Sequence, residues 1–337
     1  MIEEKAPQGK ARLADVARRA GVSVATVSRA LSRPGMVSEA AREAIFAAVS
    51  ETGYRVNHAA RNLRKGRTGA IVALVPNLAN PFFARILSGM GQELAQSGYD
   101  LLVGDTMDAG GRHRALARLL DPSRADGIVL LDGQVTAGDL AALPFAPPVV
   151  MACEWIEQAD LPRVVLDNEA GTALAAGHLL GLGHRRIACI GGPRGNVLHR
   201  ARLGGVRRTL GHEPRLYEGD FTLAGGARAA QLWLEGPPPE RPTAIIAFSD
   251  ESAAGFMGEL QRRGIDVPRD VSVVGFDGID WVAHLPTPLT TIRQPKREMG
   301  RLAARLVLRL IAGDEIARET ILAPELIIRG STGPVRG

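Results

Sequence analysis

Apolar positions follow two different rhythms along this chain, and the change comes near residue 69. Before it they recur at three- and four-residue spacing. Leu13, Val16 and Ala17 make one stripe, Val27, Ala30 and Leu31 a second, and Ala41, Ile45, Ala48 and Val49 a third. That spacing lines up side chains on one face of a helix. It predicts helices over 11–19, 23–31 and from 38 to about 52. Gly21 is placed to stop the first, because glycine tolerates positive φ. Ser23 and Ser38 are placed to cap the next two by accepting a backbone N–H two or three residues on. The run Thr52-Gly-Tyr54 closes the third.

From residue 69 onward, short continuous apolar runs alternate with helical patterns. The runs predict strands over 70–75, 99–104, 127–131 and 148–152, with helices over 81–97 and 112–120. After Asp167-Asn168 a second set begins, with helices over 169–182, 198–210, 223–234 and 251–263. Its strands are 186–190, a short one near Leu216, 244–248 and 271–275. Residues 289–292 read as extended, 296–312 as a helix and 323–329 as a last strand. Alternation of this kind implies parallel sheets covered on both faces. By itself it fits a flavodoxin-like or Rossmann arrangement as well as a two-lobed body.

Charge sharpens the division. Residues 1–67 carry thirteen Lys and Arg against six Asp and Glu, whereas the whole chain of 337 residues has a net charge of +5. A small basic segment on a near-neutral body is the footprint of phosphate binding, and its apolar periodicity argues against a merely solvated tail. The start, Met-Ile-Glu-Glu-Lys, has no apolar signal core, and no apolar run is long enough for a membrane helix. Two cysteines, Cys153 and Cys189, do not make a disulfide framework. A cytoplasmic protein with reduced thiols is expected.

The order Asp15-Val-Ala, Ala20-Gly-Val-Ser23, Thr26-Val-Ser-Arg29 reads as a helix-turn-helix and resembles the N-terminus of the LacI/GalR family of bacterial transcriptional regulators. The resemblance runs from about residue 11 to 333. It implies an all-α helix-turn-helix DNA-binding domain over 1–56, a hinge helix and linker over 57–68, and an α/β periplasmic-binding-protein type I body over 69–333. The body would be two doubly wound subdomains, one from 69–166 with 294–318, the other from 167–293 with 319–333. The outer face of the second helix, Val24, Ala25, Ser28 and Arg29, is small with one arginine and suits a major-groove floor. Ser23, Thr26, Ser28 and Ser38 would position it on phosphates, and Arg12 is a further DNA-binding position. In the hinge, Asn57, Ala60, Leu63 and Arg64 match the family, whose aligned leucine wedges into a central base step. Val56 departs from the family's usual proline, which bears on the stiffness of the entry turn. The implied partners are operator DNA, a small-molecule effector and a second copy of the chain, with a dimer of dimers left open.

Ligands of open α/β sheets meet the carboxyl ends of strands. By resemblance, the effector positions are Phe82, Phe83, Asp105, Trp155, Arg202, Phe221, Ser249, Asp250 and Asp277. Arg202, in Arg200-Ala-Arg-Leu-Gly-Gly, matches the family's effector-binding arginine, and Asp277 its hydroxyl-accepting aspartate. Each has a plainer alternative: Phe82 and Phe83 as core, Ser249 and Asp250 as helix caps, Arg202 as a surface residue. The segments Pro148–Trp155, Gly219–Thr222, Pro288–Pro295 and Leu326–Thr332 are similar to those of nucleoside-responsive members of the family, which implies a nucleoside effector. A sugar or sugar phosphate is the alternative. No phosphate loop, nucleophile elbow or His-Glu-x-x-His pair occurs, so neither an enzyme, a metal nor a cofactor is expected. A solute-binding protein without a DNA role is the remaining rival, and the basic helix-turn-helix speaks against it.

Overall fold

The computed structural model describes residues 11–32, 34–54, 67–106, 124–142 and 147–335. It divides into two compact units, 1–67 and 68–337. The first contains α1 (Leu13–Ala20), α2 (Val24–Ser32) and α3 (Glu39–Thr52). Gly21 ends α1 at φ 66°, and Ser38 caps α3 by accepting the Ala41 N–H. Val16, Ala17, Val27, Ala30, Ile45 and Ala48 are buried together, each from one of the predicted stripes.

The second unit holds two six-stranded sheets. In the first, β1 (Ala70–Val75), β2 (Asp100–Asp105), β3 (Gly127–Leu130), β4 (Val149–Ala152), β5 (Arg163–Leu166) and β11 (Glu319–Leu322) run in the order β11-β5-β4-β3-β1-β2. In the second, β6 (Ile187–Ile190), β7 (Arg215–Tyr217), β8 (Ala244–Ala247), β9 (Ser272–Asp277), β10 (Thr290–Arg293) and β12 (Glu325–Ile327) run β12-β10-β9-β8-β6-β7. All neighbours are parallel except β10 and β12. The central strands are buried along their whole length, as strands covered on both faces must be.

Seven helices accompany these sheets among the described residues: α4 (Pro81–Gln96), α5 (Ala137–Ala141), α6 (Asn168–Gly181), α7 (Val197–Leu210), α8 (Leu223–Glu235), α9 (Asp250–Arg262) and α10 (Lys296–Ala312). The chain passes from the first sheet to the second after Leu166 and returns with α10, which packs on α4, β3 and β4. Helices α4 and α10 approach so closely that a Cβ on Gly300 would stand 2.0 Å from the Ile86 carbonyl oxygen. No described helix is long and apolar enough to cross a membrane.

Two expectations need correction. Residues 319–333 do not all join the second subdomain: Glu319–Leu322 pairs in parallel with β5, so the last crossing falls at Ala323-Pro324. The predicted strand over 323–329 is shorter and antiparallel to β10. Nothing in the local pattern marks strand β5. The helix predicted over 112–120 lies outside the described residues.

Candidate functional site

Strand order reverses at β1 in the first sheet and at β6 in the second, and the loops leaving the carboxyl ends there face one another. A cavity of about 50 Å³ lies between them. On the first-subdomain side, Asn80 caps α4 by accepting the Phe82 N–H, with Pro81 opening the helix. The first turn of α4 thus delivers Phe82 and Phe83 to the cavity wall, edge to face with centroids 5.1 Å apart. Both rings are also core residues, 4% and 7% exposed, and line the cavity as well.

Asp277 ends β9 on the opposite wall. It is buried, and its φ of 126° is a region that side-chain-bearing residues rarely adopt. Gln294 Nε2 donates to its Oδ1 at 2.8 Å. Arg202 projects from α7 and is buried too. Its Nε donates to Asn168 Oδ1 at 2.9 Å, and its Nη1 donates to the Phe248 carbonyl and stands 3.9 Å from Asp277 Oδ1. The guanidinium also lies on the Phe276 ring. Burial works against the charge of both groups: it pulls Arg202 down and pushes Asp277 up, while each counteracts this in the other. Phe221, held at φ 64°, completes this wall, and Ser249 fixes it by donating its hydroxyl to the Phe221 carbonyl at 3.1 Å.

Not every expected position reaches the cavity. Trp155 turns away, and its ring lies 5.4 Å from the Arg163 guanidinium. The chain takes φ 70° at Cys153, just past β4, and it is Cys153 and Glu154 that line the cavity instead. Glu154 Oε2 accepts the Gly133 N–H at 2.9 Å, and burial raises its carboxyl above the ordinary range. Burial likewise raises the Cys153 thiol. Asp105 accepts the Leu78 N–H at 3.0 Å, a turn-fixing bond outside the cavity. Asp250 is wholly buried and serves the turn after β9: Oδ2 accepts the Ile279 N–H at 2.7 Å and Oδ1 the Thr291 hydroxyl at 2.5 Å. Asn80 and Leu198 line the cavity unanticipated, because nothing local marks which side of a loop faces the opposite lobe.

Two ion pairs join the subdomains around the cavity: Arg85 of α4 donates to Asp280 beyond β9, and Arg200 of α7 stands 2.7 Å from Glu157 beyond β4. Pockets for small organic ligands run from about 300 Å³. At about 50 Å³ the cavity is smaller than that in this structure.

In the first unit, Val24, Ala25, Ser28 and Arg29 all lie on the exposed face of α2 while Val27 and Ala30 point inward. Ser23 Oγ accepts the Thr26 N–H at 3.1 Å and lies 2.8 Å from its hydroxyl, which sets the start of this helix. The Arg12 main-chain N–H bonds Asp15 at 2.8 Å, leaving the Arg12 side chain exposed. Asn57, Ala60, Leu63 and Arg64 lie outside the described residues.

A helix-turn-helix followed by a two-lobed body that closes on a cavity defines a class: the ligand-responsive DNA-binding regulator. Residues 12–57 match the model of the bacterial regulatory proteins of the lacI family, and residues 176–332 that of a periplasmic binding protein-like domain. The chain is 36% identical to the HTH-type transcriptional repressor CytR of Escherichia coli K12, over 98% of this chain and 99% of that one. It is 33% identical to the repressor PurR of Aliivibrio fischeri MJ11, over 95% and 98%. The lac repressor dimer bound to operator and the anti-inducer ONPF superposes with a TM-score of 0.84 at 28% identity, covering 96% of this chain and all of that one. The chain belongs to the LacI family: it is a DNA-binding regulator of transcription, with repressors and not enzymes as its relatives.

Proposed function

We propose that two copies of this chain bind a pseudo-palindromic operator, with Val24, Ala25 and Arg29 of each α2 reading bases in adjacent major grooves, and that a ribonucleoside in the cleft sets the affinity. Ser23, Thr26, Ser28 and Ser38 position the helix on phosphates, and Leu63 of the hinge wedges into the central step. The likeness to an operator-bound lac repressor dimer supports the assembly.

One observation carries the effector reading. Three phenylalanine rings, Phe82, Phe83 and Phe221, share a cavity with the buried Arg202–Asp277 pair. A nucleoside offers a flat apolar base for the rings and ribose hydroxyls for the carboxylate, a charge-assisted arrangement. A free sugar leaves the rings without a stacking partner. The segments similar to nucleoside-responsive members of the family support the same reading, and cytidine is the first ligand to test. The effector acts through its preference for one degree of lobe closure, which resets the spacing of the hinges over DNA.

The test is calorimetry of the purified chain with cytidine, adenosine and a hexose, beside gel shifts on genomic fragments. Cytidine is expected to release heat and shift operator affinity, and Asp277→Ala to abolish both. Heat with the hexose and none with either nucleoside would promote the sugar reading.

A further inference from the structure

The turn Asp277-Gly278-Ile279 is held from four directions. Gln294 Nε2 donates to Asp277 Oδ1 at 2.8 Å, the Gly278 N–H donates to Thr291 Oγ1 at 3.3 Å, and the Ile279 N–H donates to Asp250 Oδ2 at 2.7 Å. Lys296 Nζ supplies the fourth hold, donating to the main-chain oxygens of Asp277 at 2.5 Å and Gly278 at 2.6 Å. Three of these partners come from the second subdomain or the crossing that leaves it. Lys296 alone opens a helix of the first, α10.

Lys296 is itself only 6% exposed. A buried ammonium is costly unless its donors are met, and the two carbonyls take two of its three. Its Nζ also lies 5.9 Å from the Phe82 ring, which forms the opposite cavity wall. Burial pulls the ammonium down from its ordinary value, while Asp277, Asp250 and Asp280 act to keep it charged and Arg85 opposes them. The strained φ of Asp277 persists only where its surroundings over-determine it, and Lys296 grips the carbonyl of that very residue.

We propose that Lys296 is the positioning residue of the effector site: it sets the Asp277 carboxylate at the cavity and ties that geometry to the closure of the two subdomains. The proposal rests on reading this cavity as the effector site. Its logic is mechanical. Gly89 and Gly300 bring α4 and α10 into backbone contact, so Phe82 and Lys296 travel as one block. When the lobes part, that block leaves β9 and Lys296 loses its two carbonyls. The Asp277 turn is then released from one of its four holds. A ligand lying between Phe82 and Asp277 finds the ordered carboxylate only in the closed arrangement. That difference between the two states is what a ligand needs in order to shift them.

Lys296→Met keeps the aliphatic stem and removes every donor, whereas Lys296→Arg keeps charge and donors. Hydrogen exchange on the full-length chain reads the turn directly, without any ligand. Exchange at the Gly278 and Ile279 amides is expected to speed up tenfold or more in K296M and to return toward the wild type in K296R. Calorimetry with cytidine is expected to show at least tenfold weaker binding to K296M at a protein concentration corrected for the folded fraction. A purely structural role predicts a lower melting temperature with unchanged cytidine affinity of the folded protein, and that result overturns the proposal. Unchanged exchange in K296M overturns it as well. Should the wild type bind no nucleoside, the effector reading falls separately, and the exchange rates still decide whether Lys296 holds the turn.

Discussion

The Arg202 guanidinium carbon lies 3.8 Å from the centroid of the Phe276 ring, while its Nη1 stands 3.9 Å from Asp277 Oδ1. One buried cation is thus stacked, bonded to Asn168 and paired with the carboxylate proposed to receive the effector. Removing it strands several polar groups at once. Arg202→Ala is expected to destabilise the body by about 3–5 kcal/mol, since it takes the buried guanidinium from beside Asp277 and the donor from Asn168 and the Phe248 carbonyl. Thermal unfolding should show the melting temperature lowered on the order of 10 °C. A drop of a degree or two would mean that water replaces the guanidinium.

Asp277 and Asp250 are both held above the ordinary carboxylate range, chiefly by burial. The folded chain therefore keeps protons that the unfolded chain releases from about pH 4 upward. Linkage makes the contribution of these groups to stability fall as pH climbs from there through their raised values. Asp250→Asn removes one of them; its amide oxygen can accept the Ile279 N–H while its NH2 donates to Thr291 Oγ1, reversing that bond. Its stability relative to the wild type is expected to grow from pH 4.5 to pH 7.5 in matched melts. Cytidine affinity should rise over the same window, because the ionised Asp277 is the better hydroxyl acceptor.

Arg29 lies exposed on α2 beside Val24 and Ala25. A bidentate arginine–guanine contact discriminates by about 1–3 kcal/mol. Arg29→Ala should lose preference for operator over base-substituted operator by that amount, measured by competition at fixed salt. Equal weakening on operator and random DNA would instead make Arg29 a phosphate contact.

Among the described residues the first unit has a very small core, with Ile45 its largest fully buried side chain. Ile45→Ala is expected to cost about 2–5 kcal/mol, enough to unfold a domain of this size. Operator binding should vanish while cytidine heats persist. Loss of both would show that the units do not fold independently.

Gly300 faces the Ile86 carbonyl, with room for no Cβ. Gly300→Ala is expected to push α10 from α4 and cost about 1–3 kcal/mol or more. Cytidine affinity should fall with it, because Lys296 and Phe82 ride on these two helices.

Much of this architecture is written in local pattern. Period and cap residues such as Gly21 and Ser38 place the helices of the first unit, and uninterrupted apolar runs place the central strands of the second. Arg202 and Asp277 are legible because each sits in a motif. What the local pattern lacks is any record of partners far away in the chain. Strand β5 and strand β11 are four residues each, and β11 is half exposed at a sheet edge, so neither carries a strong period; β5 is made a strand by lying between β4 and β11, and β11 by pairing with β5 across a separation of 156 positions from Arg163 to Glu319. The choice of Glu154 over Trp155 turns on one positive φ at Cys153. The assignment of Asp250 to a turn and of Lys296 to a clamp depends on β9, β10 and α10 converging at the crossing between subdomains. Burial and hydrogen bonding there are properties of that convergence, and a side chain acquires them only once the chain has closed around it.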